Sequence, residues 1–193
     1  MDMHATTLNE AEPRKDFGHT GGVRYLTIVR HAKSSPATPM GSDFERPLNG
    51  RGKKQCKQLR AWAEDEQSLG RFGPVAALVS SAERTRETFE RSFGGTPWVI
   101  SQEFKKSIYG GVREVTGKDL LQALIEFDPV TTSLLLIGHN PSMHELAELL
   151  AVEVPHELRA RGYALGGAYV FLLPDDQPIG FKRYEIVASF IPD

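Results

Sequence analysis

Three short apolar runs break off abruptly into polar residues. Leu26–Val29 runs into Arg30 and His31, Val75–Val79 into Ser80 and Ser81, and Leu134–Ile137 into Gly138, His139 and Asn140. Runs this short and this apolar are those of strands covered on both faces, and helix-patterned segments lie between them. Strands and helices in alternation predict an α/β fold, a three-layer sandwich with helices on both faces of a mostly parallel sheet. In such sheets ligands bind outside the carboxyl ends of the strands, which is where the arginine and the histidines fall.

The elements between the runs follow from caps and periodicity. Arg24 to His31 is the first strand. Asn49 is a good N-cap for a helix over Gly50–Leu69, with Cys56, Leu59 and Ala63 on one side, Trp62 beside them, and Gly70 and Gly73 ending it. Ser80 and Glu83 have capping-box spacing, which puts Arg84 in the first turn of a helix at a strand's carboxyl end. Free N–H groups there favour an anion. Trp98–Ser101 is a short strand, followed by an irregular stretch holding Lys105, Lys106 and Tyr109. Thr116 and Asp119 have capping-box spacing for a helix that buries Leu120, Leu121, Leu124 and Phe127 and stops before Pro129. Asn140 and Pro141 fit the N-cap and first position of a helix reaching Leu150. Glu153–Arg161 reads as a loop. Tyr163–Leu173 and Arg183–Phe190 read as two late strands joined by a short polar connection, hence at least one antiparallel strand. Gly166-Gly167 marks a bulge or a close backbone approach.

Residues 1–22 hold Pro13, Gly18, Gly21 and Gly22 without an apolar period. They predict a disordered or loosely packed tail before one domain over 23–193, and His4 and His19 are given no role. A formal net charge of −2 gives no support for a bulk nucleic-acid or anionic-membrane binder. No apolar run approaches bilayer length, and the single cysteine, Cys56, makes no internal disulfide, so a reducing, cytoplasmic setting is expected. His144-Glu145 lacks the second histidine of a zinc-protease helix and there is no cysteine cluster, so no metal or other cofactor is expected.

Arg30-His31-Ala32-Lys33-Ser34, then Ser80-Ser81-Ala82-Glu83-Arg84, then Gly138-His139-Asn140-Pro141 resembles, in order and spacing, the motif set of the histidine phosphatase (phosphoglycerate mutase-like) superfamily. Asp43, Arg46, Pro47 and Leu48 further match an Asp-x-x-Arg-Pro-Leu stretch of its small phosphohistidine phosphatase branch. The resemblance implies that His31 is the nucleophile that becomes phosphorylated. It places Arg30, Arg84 and His139 around the phosphoryl oxygens, with Ser34 and Asn140 beside them on the substrate side. Ala32 stands where the superfamily usually has glycine, as in other members of the small branch. The general acid stays open between Asp43 and Glu103, with Glu114 a third carboxylate that reads better as a solvated surface group.

The expected activity is metal-free hydrolysis of phosphohistidine on a protein. A phosphorylated imidazole that is protonated on its other nitrogen leaves as neutral imidazole and needs little acid, whereas an alkoxide needs a proton donor. Lys105 and Lys106 would line an open rim for the phosphorylated partner. The alternatives are a phosphatase or mutase acting on a small phosphate ester, and a non-catalytic phosphate-binding module. His31 is expected to be neutral and His139 to favour its proton only with phosphate bound.

Overall fold

The computed structural model describes residues 23–37, 40–65, 74–110, 113–130, 132–174 and 177–193. The expected tail 1–22 and the last residues of the first expected helix, 66–69, lie outside these. In chain order the elements are β1 (Val23–Arg30), α1 (Gly50–Glu64), β2 (Val75–Ser80), α2 (Glu83–Ser92), β3 (Val99–Lys105), α3 (Gly117–Phe127), β4 (Ser133–Gly138), α4 (Ser142–Leu150), α5 (His156–Arg161), β5 (Ala168–Pro174) and β6 (Ile186–Phe190). Short 3-10 turns occupy Asp43–Glu45 and Lys106–Ile108.

The six strands form one sheet in the order β3-β2-β4-β1-β5-β6. β1, β2, β3 and β4 run parallel, and β5 runs antiparallel to both β1 and β6. Register explains the burial. Leu26, Ile28, Leu78, Leu134 and Leu136 meet Leu120, Leu124, Met143 and Leu146 of α3 and α4 in one core. The alternate residues Val29, Ala77, Val79, Leu135 and Ile137 meet Leu59 and Ala63 of α1, Phe89 of α2 and Phe93 just after it in the other. Successive strand side chains point to opposite faces, so a run apolar at every position demands cover on both sides. The mixed sheet with helices on both faces is the α/β sandwich expected.

Several element ends differ from the sequence reading. Glu153–Arg161 is not all loop: α5 forms around one buried residue, Leu158, too few for an apolar period to show, and it ends at Gly162 with φ +69°. β5 starts at Ala168, not Tyr163, because Gly166 adopts φ +71° and brings its N–H against the carbonyls of Arg30 (3.0 Å) and His31 (3.2 Å). This is the close approach that the glycine pair announces. β6 begins at Ile186, and β3 extends past Ser101 to Lys105. Ser80 does not cap α2; Ala82 stands at the cap, and Ser80 is engaged elsewhere. Nor does Asn140 cap α4: Pro141 holds that position in helical backbone geometry. The Thr116–Asp119 capping box forms as read, and Asn49 caps α1 through Gly52 N–H.

Candidate active site

Every residue of the site stands at the carboxyl edge of the parallel strands. His31 follows β1 directly, and its N–H bonds the Gly138 carbonyl at 3.1 Å, the residue before His139. Adjacent parallel strands in register therefore deliver two histidines side by side: their ring centroids are 5.0 Å apart at 54°. His31 Nδ1 lies 2.7 Å from the Ala32 carbonyl oxygen. A carbonyl only accepts, so the proton sits on Nδ1 and Nε2 carries the free lone pair. His139 Nε2 meets the Ser80 hydroxyl at 2.8 Å, at the end of β2, while its Nδ1 has no partner.

The loop after β1 is held from several sides. Ala32 N–H donates to the Thr88 hydroxyl at 3.1 Å, Lys33 N–H to Gln55 Oε1 at 2.9 Å, and Asn49 N–H to the Lys33 carbonyl at 3.0 Å. Gly52 packs so closely that a Cβ there would lie 2.1 Å from the Lys33 carbonyl oxygen. The nucleophile loop is thus clamped between the first turn of α1 and the side of α2.

A cavity of about 200 Å³ opens over His31, lined by Arg30, Lys33, Ser34, Arg46, Arg84 and Leu165. Four of these seven lining residues are cationic and none is a carboxylate. Arg30 Nη1 is anchored on the Tyr163 carbonyl at 2.5 Å. Arg46 reaches across the β1 loop, donating to the Ser35 carbonyl at 2.8 Å and to the Ser34 hydroxyl at 3.0 Å. A second cavity of about 360 Å³ lies on the other side of His139, lined by Tyr109, Arg113, Glu114, Val115, Asn140, Pro141 and Ser142.

Asp43 stands at the lip of the cup. Its carboxylate accepts from Arg46 Nη1 at 2.6 Å, Arg84 Nη2 at 2.9 Å and the Tyr109 hydroxyl at 2.9 Å. Tyr109 also lies edge-on to His139, with centroids 5.4 Å apart. Glu103 is not brought to the site: it is an exposed residue of edge strand β3, opposite Leu78, and lines neither cavity. Glu114 lines the second cavity. Lys105 is drawn away to Glu126 at 3.7 Å, while Lys106 sits over the Phe44 ring, whose other neighbour is Tyr109.

Protonation follows from burial first. Burial, reinforced by the charges of Arg84, Arg30 and Arg46, drops the His31 imidazole to about 3 against the pull of its bond to the Ala32 carbonyl. His139 falls to about 2, through burial and then its neighbours His31 and Arg84, with Asp43 pulling the other way. Both imidazoles are therefore neutral in the free protein. Asp43 is pushed up by burial but held down more strongly by its bonds from Arg46 and Tyr109 and by Arg84, and it settles at about 2. It rests as a carboxylate without a proton to give.

Arg46 and Tyr109 were not singled out as site residues from the sequence. Arg46 had a signal, its place three residues after Asp43 in a matched motif. Tyr109 had none, since only the folded 3-10 turn brings it under Asp43. Among the described residues no group of three or more His, Cys, Asp or Glu is placed to hold a metal ion.

By sequence, no protein-family profile and no curated protein matches the chain. By structure, it superposes on SixA of Agrobacterium tumefaciens, assigned as a phosphohistidine phosphatase, with a TM-score of 0.67 and 25% identity, covering 88% of this chain and 99% of that one. The protein histidine phosphatase SixA complexed with tungstate gives 0.64 at 19% identity, over 87% and 97% of the two chains. A mycobacterial glucosyl-3-phosphoglycerate phosphatase gives 0.53 at 14%, over 86% and 98%. The fold is that of the histidine phosphatase superfamily. No described helix is long and apolar enough to cross a membrane.

Proposed function

We propose that the chain is a phosphatase that passes the phosphoryl group through His31 and acts on phosphohistidine carried by a protein. The observation that carries this reading is the cup itself: a neutral imidazole with its free Nε2, set among Arg30, Arg46 and Arg84 and 5.0 Å from a second imidazole. The second protein named above was crystallised with tungstate, a tetrahedral oxyanion of phosphate-like shape, and a cup of this kind fits such an ion.

The chemistry takes two displacements. His31 Nε2 attacks phosphorus, the new P–N bond forms, and the bond to the substrate's imidazole breaks. Water then attacks the phosphorylated His31, whose imidazole leaves as inorganic phosphate is released. Charge spreads over the three equatorial oxygens during each transfer, and the arginines offset it in a partly dry pocket where they act more strongly than in water. A phosphoryl group in the cup reverses the preference of His139, because its negative charge favours the imidazolium. Ser34 and Asn140 complete the substrate side.

Asp43 rests ionised, and Glu103 stands away from the cup. A substrate whose leaving group needs no acid suits such a site, which favours a phosphoramidate over an ester. A small phosphate ester is the second reading, because Glu114 lines the cavity beside His139, where a proton donor for an alkoxide would stand. Purified protein offered a phosphohistidine protein and a panel of small phosphate esters separates the two. The proposal expects kcat/KM on phosphohistidine to exceed that on any ester by at least about a hundredfold, roughly 2.7 kcal/mol of transition-state preference. Faster turnover of an ester refutes it.

A further inference from the structure

Asp43 is a carboxylate set against the cations of a cup built for an anion. It occupies one edge of each of two cup guanidiniums: Arg46 through Oδ1, and Arg84 through Oδ2 and, at 2.6 Å, through the Asp43 backbone carbonyl. The Tyr109 hydroxyl donates to the same Oδ2 that Arg84 bonds. Arg84 is nearly enclosed, with an 8% exposed side chain, whereas the Asp43 side chain is 49% exposed, so the anion is the half of the pair that faces solvent. The cup lining itself contains no carboxylate, and Asp43 reaches it only through its bonds to two of the lining arginines.

Two effects follow. The arginines are held in place before any ligand arrives, which removes an ordering cost from binding. The carboxylate also repels whatever dianion enters. That repulsion is unequal along the reaction. In a loose phosphoryl-transfer transition state part of the charge has moved onto the departing group, while free phosphate keeps its full charge in the cup. A fixed negative charge at the lip therefore burdens bound product more than the transition state.

We propose that Asp43 is a positioning residue that acts as a built-in anion, holding Arg84 and Arg46 ready while weakening the grip on free phosphate so that product leaves. This rests on the phosphatase reading above. The test is titration calorimetry with inorganic phosphate, alongside steady-state turnover of a phosphohistidine protein, for wild type, Asp43→Asn and Asp43→Glu. In Asp43→Asn the Kd for phosphate is expected to fall about tenfold, with KM and kcat both decreasing as product release slows. In Asp43→Glu, which keeps the charge, phosphate affinity stays within about twofold of wild type. Unchanged phosphate affinity in Asp43→Asn with a loss of kcat describes a proton donor and overturns the proposal. Weaker phosphate binding together with a lower melting temperature describes a merely structural residue and overturns it as well. Asp43→Glu binding phosphate as tightly as Asp43→Asn shows that charge is not the cause and overturns it too. A wild-type protein that neither binds phosphate nor turns over the phosphoprotein sinks the phosphatase reading itself, whereas a wild type that does both, with no tightening in Asp43→Asn, sinks only the role of Asp43.

Discussion

At the scale of single residues, the site is a set of groups held in the protonation state opposite to the one acid would give them. His31 and His139 refuse a proton down to about 3 and about 2, against an ordinary value of 6.5. Between pH 6.5 and those values the unfolded chain binds protons that the folded chain does not, so folding stability rises with pH across the window and is lost as pH falls. Asp43 adds a loss of the same sign lower down, between 3.8 and about 2. Thermal melts from pH 7 to pH 4 are expected to show a steady drop in Tm that is smaller in His31→Ala, whose unfolded state lacks one of those protons. A flat profile contradicts the assignment of buried neutral imidazoles. The places of Arg30, His31 and His139 were legible from sequence because they end or directly follow a strand, and that of Arg84 because it falls in the first turn of the helix after one. The partners of Asp43 were not, because a loop carboxylate can meet any of several cations and only the fold chooses among them.

At the scale of elements, the nucleophile loop depends on what clamps it. Gly52 in the first turn of α1 has no room for a side chain, since its Cβ would meet the Lys33 carbonyl carbon and oxygen at 2.9 and 2.1 Å. Gly52→Ala must push the loop or the helix away, at a cost of about 1–3 kcal/mol as in other overpacked sites. The denaturant midpoint is expected to drop accordingly, and turnover to fall more than folding does, because His31 lies two residues from Lys33. Unaltered turnover would mean that the clamp does not position the nucleophile. Strands and long helices were readable from the sequence, since burial on both faces or on one stripe writes a periodic pattern. Ends were less so. The Ser80–Glu83 pair has the spacing of a cap, yet Ser80 spends its hydroxyl on His139, a choice set by the neighbouring strand β4 and invisible in local sequence. α5 escaped because one buried leucine makes no period.

At the scale of the whole molecule, the two ends of the sheet do different work. At the amino end of β1, Arg24 makes a two-pronged bond to Asp128, at 2.5 and 2.7 Å, with the Asp128 side chain fully buried; Asp128 also accepts from Val130 and Ile179 N–H. At the carboxyl end Arg30 Nε, His139 Nδ1 and Asn140 Oδ1 have no partner among the described residues. Arg24 Nε and Thr132 Oγ1 lack partners at the amino end too, but the orphans at the carboxyl end belong to residues that line the two cavities, where ligands of such sheets bind. The most direct measurement is to quench the protein during turnover of a labelled phosphohistidine protein and map the label. The account predicts an acid-labile phosphoryl group on His31 Nε2 in wild type, and in His31→Ala no adduct and no turnover but retained phosphate binding. Turnover that persists in His31→Ala, or label found on another residue, would contradict it.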